Sequence, residues 1–211
     1  MYKFDDRNIV FVAGIHGDEQ MPVKALRENN TPFILGNPEA YERSLRFINF
    51  DLNSSFGTKD EGQELIRASE ILKEIGENDL VVDFHSTTAV TSPFIIIVDE
   101  KMLPFATRIG LLNVVIMKYN IKHGRALINY RKGVSVEVGN HNSKESYNNT
   151  LQIVNNVRSG QKFPIKVFEV YGKITEPGKY INFQEHPGGF IPVLAGEAAY
   201  DFYGLKARRI S

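Results

Sequence analysis

The sequence predicts an α/β fold: a mixed sheet covered by helices on both faces, followed by a small β-rich region. Three observations carry this. Segments such as "NIVFVAGI", "DLVVDFHS" and "PFIIIVD" are largely apolar, the pattern of strands buried on both faces. Helical patterns separate them up to about residue 160. Beyond that, alternating segments are broken by Pro-Gly, Pro-Gly-Gly and Gly, which reads as strands and turns. The expected division is 1–160 for the α/β domain and 161–211 for a β-rich region covering its site.

The elements follow in order. "NIVFVAGI" is the first strand, and "EQMPVKALRENN" a helix with Val23, Ala25 and Leu26 on its apolar face, ended by Asn29-Asn30. "RFINF" reads as a short strand. "KDEGQELIRASEILKEIG" is the clearest helix, with Leu65, Ile66, Ser69, Leu72 and Lys73 near one face, acidic residues early and Gly76 as its stop. Then come the strands "DLVVDFHS" and "PFIIIVD", a helix "LPFATRIGLL", and the strands "NVVIMK" and "GVSVEVG". "SKESYNNTLQIVNNVRSG" is a helix opened by Ser143, with Glu145 in its first turn and Gly160 after its end. "FPIKVFEVYGKIT", "YINFQE" and "FIPVLAGEAAYDFYG" supply the later strands. No internal repeat or low-complexity segment is present.

Composition narrows the function classes. The 211 residues, 42% hydrophobic and 24% charged, suit one large globular domain or one with a small appendage. Lys plus Arg and Asp plus Glu balance at 25 each, against the basic excess of a nucleic-acid binder, so "KARRIS" reads as a solvated end. "MYKFDDRN" lacks the pattern of a signal peptide. The apolar runs are too short to span a membrane. A soluble cytoplasmic protein with a small-molecule partner, and neither nucleic acid nor membrane, is expected. Cysteine is absent, so any zinc must be held by His, Asp or Glu.

Strand ends are where open α/β sheets bind ligands. His16 and Glu19 follow the first strand, with Gly17 between them. His85 ends "DLVVDFHS", and Asp83 shares its side because strand side chains alternate. Glu137 lies amid valines in "GVSVEVG". His16, Glu19 and His85 make a two-His, one-carboxylate set, the three protein ligands that a catalytic zinc commonly uses. Zinc lowers the pKa of its bound water to about 7, and Glu137, raised by an apolar strand, is the candidate for moving protons. An ordinary polar loop, a hydrogen-bonded core histidine and a solvated edge carboxylate are the alternatives at this point. H-x-x-E is not the helical H-E-x-x-H signature.

"GIHGDE", "NPEAYERSLRFINFDLNSSF", "DFHSTT", "VEVG" and "GEAAYDFY" occur in the order, and at roughly the spacing, of the succinylglutamate desuccinylase and aspartoacylase family. The chain resembles that family over residues 13–200, and with it the zinc-carboxypeptidase fold. The resemblance implies one zinc per chain on His16, Glu19 and His85. It implies Glu137 as the glutamate that activates water and protonates the leaving amine, and Arg46 as the group polarising the scissile carbonyl. Asn53 and Tyr200 fall on substrate-contacting positions, and Asp83 would orient a ligand. Ser54 stands where the family usually has an arginine gripping a substrate carboxylate, and a hydroxyl cannot replace that charged fork. Arg43, Arg125 and Lys132 are candidate replacements; each is equally readable as a surface charge. The implied activity is a zinc-dependent deacylase for an N-acyl amino acid or small acylated amine. A metallocarboxypeptidase acting on peptides and a non-catalytic family member are the alternatives.

Overall fold

The computed structural model describes residues 9–58, 61–119 and 121–211. The reading of "MYKFDDRN" and the first two residues of "KDEGQELIRASEILKEIG", 59–60, lie outside these. The strands are β1 (Ile9–Ala13), β2 (Ile34–Leu35), β3 (Leu80–Thr87), β4 (Phe94–Ile97), β5 (Asn113–Ile116), β6 (Gly133–Asn140), β7 (Lys166–Ile174), β8 (Ile191–Val193) and β9 (Gly204–Arg209). The helices are α1 (Gln20–Glu28), α2 (Pro38–Glu42), α3 (Gln63–Glu74), α4 (Leu103–Ala106) and α5 (Lys144–Ser159).

All nine strands join one sheet in the order β2-β1-β3-β6-β4-β5-β7-β9-β8. β4 runs antiparallel to β6, and β9 runs antiparallel to both β7 and β8, so the sheet is mixed as expected. The three strands after residue 160 extend this same sheet through the β5–β7 pairing.

The two faces are covered differently. On one, Leu80, Val82 and Phe84 of β3, Ile95 and Ile97 of β4, and Val134, Val136 and Val138 of β6 pack continuously under α1, α4 and α5. On the other, Val12 and Val81 pack with Ala68 and Ile71 of α3 at one end. Phe94, Val115, Phe168 and Val170 pack under the later strands and loops at the other end. Between these two clusters Asp83, His85, Ser135, Glu137 and Ile96 share the uncovered middle of that face, since side chains alternate along each strand. The gap is the cleft described below.

Several expectations are corrected. "RFINF" is not a strand. Gly17 N–H donates to the Arg46 carbonyl, and the Ile48 and Asn49 N–H groups donate to the Glu64 carboxylate, so these backbone groups are satisfied away from any ladder. α3 buries Leu65, Ala68 and Ile71, one step round from the expected stripe, and leaves Ile66 57% exposed. "LPFATRIGLL" is helical only over Leu103–Ala106, and "YINFQE" forms turns. Most of "FIPVLAGEAAYDFYG" is loop after the short β8. "KARRIS" is solvated over 208–211, as expected, but it also continues β9: Ala207 is fully buried, and Arg208 pairs with Glu169 on β7.

Candidate metal centre

β1 stops at Ala13, and Gly14 turns the chain at φ +74°. Ile15 is buried, and His16 begins a turn that ends with Glu19 as the residue capping α1. Gly17 permits this path. A Cβ there would stand 2.1 Å from the Ala40 carbonyl carbon of α2, so the turn and helix can approach only through glycine. β3 then carries His85 to the same place.

Among the described residues, His16, Glu19 and His85 form the one cluster with three metal-capable donors, whose ligand atoms all lie within 4.8 Å of one another. All three residues are buried. Nδ1 of His16 is 2.6 Å from Glu19 Oε1, and Nδ1 of His85 is 3.2 Å from Glu19 Oε2. The remaining nitrogens face outward to carboxylates. His16 Nε2 lies 3.1 Å from Asp51 Oδ1, and His85 Nε2 lies 2.8 Å from Asp83 Oδ2. A carboxylate beside each outer nitrogen orients the ring, leaving both Nδ1 atoms turned toward Glu19. This donor set, two imidazole nitrogens and a carboxylate, fits a divalent ion such as zinc, and also fits other divalent metals.

The charges agree with that geometry. Burial alone would raise Glu19, but the His16 and His85 imidazoles outweigh it and hold its carboxyl far below the usual range. Burial alone would lower His85, but Asp83 and then Glu19 hold its imidazole well above the usual histidine value. Burial likewise opposes ionisation of Asp51, and its bonds to His16 and Lys122 more than reverse this.

Glu137 sits opposite His85 in the β3–β6 register. It opens onto the cleft, yet its Oε2 is buried without a hydrogen-bond partner. Burial pushes its carboxyl up to about 8; the His85 imidazole opposes this, and the Glu19 and Glu197 carboxylates add to it. Arg46 places Nη2 3.1 Å from His16 Nε2 and Nη1 4.0 Å from Glu19 Oε1. Asp83 also accepts from Ser135 Oγ at 3.2 Å.

One cleft joins His16, Glu19, Arg46, Asn53, His85, Glu137 and Tyr200. Asn53 Oδ1 is buried and unpaired there. Burial, then the Glu137 and Glu197 carboxylates, keep the Tyr200 phenol protonated far above its usual range. Ser54 does not line this cleft; it lines an adjoining groove with Arg46, Lys122 and Tyr200. Arg43 pairs with Glu39 on the surface, Arg125 is exposed, and Lys132 lies near Asn78, all outside the cleft.

Three residues in or beside the cleft were missed by sequence reasoning. Asp51 accepts from Lys122 Nζ at 2.7 Å as well as facing His16, and it lies inside the "DLN" motif, which was a usable signal. Glu197 accepts from the Thr87 hydroxyl, from Thr88 N–H at 3.0 Å and from Ala199 N–H at 3.1 Å, tying the loop before Tyr200 to the end of β3. Its signal was "GEAAY". Lys122 had none, because a lysine in an irregular segment looks like any surface lysine. No helix among the described residues is long and apolar enough to cross a membrane.

Residues 5–159 match the family model described as the succinylglutamate desuccinylase/aspartoacylase catalytic domain. A probable aspartoacylase from Prochlorococcus marinus subsp. pastoris is 33% identical over 117 residues, 47% of this chain and 40% of that protein. An N-acyl-aromatic-L-amino acid amidohydrolase (carboxylate-forming) from Xenopus tropicalis is 33% identical over 105 residues, 38% of this chain and 34% of that one. The chain thus spans less than half the length of these relatives. The crystal structure of murine aminoacylase 3 has the same fold, with a TM-score of 0.75 at 17% identity, covering 96% of this chain and 95% of that one.

Proposed function

The chain belongs to the succinylglutamate desuccinylase/aspartoacylase family, and we propose that it hydrolyses the amide bond of a small N-acylated amino acid or amine. The observation that carries this is the convergence of His16, Glu19 and His85 in one cleft with Glu137. In this reading the three hold one zinc ion. When bound, the metal supplies a Lewis acid and lowers the pKa of a coordinated water.

The chain's own residues do the rest. Glu137 takes a proton from the attacking water and returns it to the departing nitrogen. Its Oε2 has no other hydrogen-bond partner, and a cation held beside it would draw the carboxyl down from the raised value of the metal-free site, leaving a carboxylate that can accept the proton and return it. Arg46 directs a fixed positive charge at the carbonyl oxygen, where negative charge develops as the tetrahedral intermediate forms. Asp51 and Asp83 hold the outer nitrogens of His16 and His85 and keep the rings aimed inward. Asn53 Oδ1 accepts a substrate N–H, and Tyr200 donates from a phenol that stays neutral. The products are a carboxylic acid and a free amine.

The test is a screen of N-acetyl amino acids with zinc-loaded protein, run beside Glu137→Gln. Release of amine by the wild type and its loss in the variant support the reading. Equal rates in both contradict it, and no turnover by either favours the non-catalytic alternative.

A further inference from the structure

We infer that the cleft takes a substrate bearing an uncharged, apolar group beside the scissile bond, rather than a second carboxylate. This names a substrate class within the amide-hydrolase reading and rests on it.

The cleft divides along the sheet. One half lies over β3 and β6 and holds His85 and Glu137. The other half lies over β4 and β5, where Ile96 sits opposite Ser135 and Val98 and Met117 follow the two strand ends. Ile121, Ala126 and Ile128 from the segment before β6, with Leu194 after β8, line it further, and the Asn129 side chain there accepts from the Ala126 N–H.

Both cations lining the cleft are engaged toward the polar half. Arg46 contacts His16 and Glu19, and Lys122 holds Asp51, which also faces His16. Glu197 is bound to Thr87 and Thr88 at the end of β3. Ser54, which carries no charge, faces the adjoining groove instead. A carboxylate placed over Ile96, Val98 and Met117 would lose water and meet no cation, an unfavourable exchange. An aliphatic or aromatic group placed there gains by leaving water.

The apolar group can belong to the acyl chain or to the amino acid, and two sets of probes separate these. The first measurement is binding by calorimetry of pentanoate and of glutarate, equal in carbon number, to the zinc-loaded protein. Pentanoate is expected to bind roughly tenfold more tightly or better, as burial of a few methylene groups implies. Met117→Lys and Val98→Asp, both at half-buried positions whose new side chains can reach solvent, are expected to remove or invert that preference. Glutarate binding as tightly as pentanoate, or neither binding measurably, overturns the inference.

The second measurement compares turnover. N-acetylleucine over N-acetylaspartate tests the amino-acid side, and N-pentanoylglycine over N-acetylglycine the acyl side. A preference of about tenfold or more in kcat/KM is expected in at least one pair. Faster hydrolysis of N-acetylaspartate with no acyl preference overturns the inference while leaving the hydrolase reading intact. If nothing is turned over, the hydrolase reading falls and the pentanoate comparison alone decides the character of the cleft.

Discussion

His85 and Glu137 face each other across β3 and β6, in register on parallel strands. One strand delivers a metal-capable imidazole and its neighbour a carboxyl able to move protons. Their separation is set by the sheet's hydrogen bonds rather than by a loop, which is how a site is held to narrow tolerances.

Glu137→Gln is expected to lower hydrolysis by about 10²-fold or more while keeping metal content unchanged, because proton transfer by a positioned carboxyl contributes on that scale. The same substitution should stabilise the metal-free protein. A carboxyl raised to about 8 is protonated in the fold at neutral pH although it would ionise in the unfolded chain. That is a destabilising contribution. It is absent below the unfolded value of about 4.3 and grows until pH reaches about 8. Thermal melts should therefore show Glu137→Gln above wild type at pH 7 and equal to it at pH 4.

Removing the carboxylate behind either imidazole should weaken metal binding without removing a ligand. Asp51→Ala and Asp83→Ala are each expected to lower zinc affinity roughly 10–100-fold, measured by competition with a chelator. Affinity should also fall with acidification in the wild type, since the raised His85 must release its proton for Nδ1 and Nε2 to serve the metal and Asp83 together.

Gly17→Ala brings a Cβ within 2.1 to 2.4 Å of three backbone atoms of Ala40 and Tyr41. Backbone must move, at a cost of about 1–3 kcal/mol as for overpacked cores. Gly17 N–H also donates to the Arg46 carbonyl. Denaturant unfolding should show the stability loss, and zinc binding should weaken with it because His16 and Glu19 flank the turn.

Glu64, on α3, accepts from the N–H groups of Ile48 and Asn49 and from the Asn37 amide. Burial would raise its carboxyl; those bonds hold it below the usual range. A lowered carboxyl contributes stability above the unfolded value, about 4.3, that is lost as pH falls through the folded one. Glu64→Gln is expected to melt below wild type at pH 7, with the gap closing on acidification beneath pH ~4. Glu64→Ala, leaving two backbone donors short of a partner, should cost about 1–3 kcal/mol per group.

Much of the fold was legible because it rests on local patterns. The buried runs at "VFVA" and "VVDF" and the capped α5 are readable from side-chain periodicity and from Ser143 and Gly160. "RFINF" was not, because its strand-like composition is overruled by Glu64, sixteen residues on from Ile48, which takes its amides. The tail was not, because the pairing of β9 with β7 joins Phe168 to Arg209, a contact that no local window contains. At the site, the cluster of His16, Glu19 and His85 follows from strand ends, whereas Lys122 is placed by tertiary structure alone.

The central claim is that His16, Glu19 and His85 share one metal ion, and metal content tests it most directly. Wild type and His85→Ala, purified side by side and offered zinc, are compared by elemental analysis. About one zinc per chain in the wild type, lost in the variant, is the predicted result. A wild type that takes up none, or a variant that keeps its full complement, would contradict it.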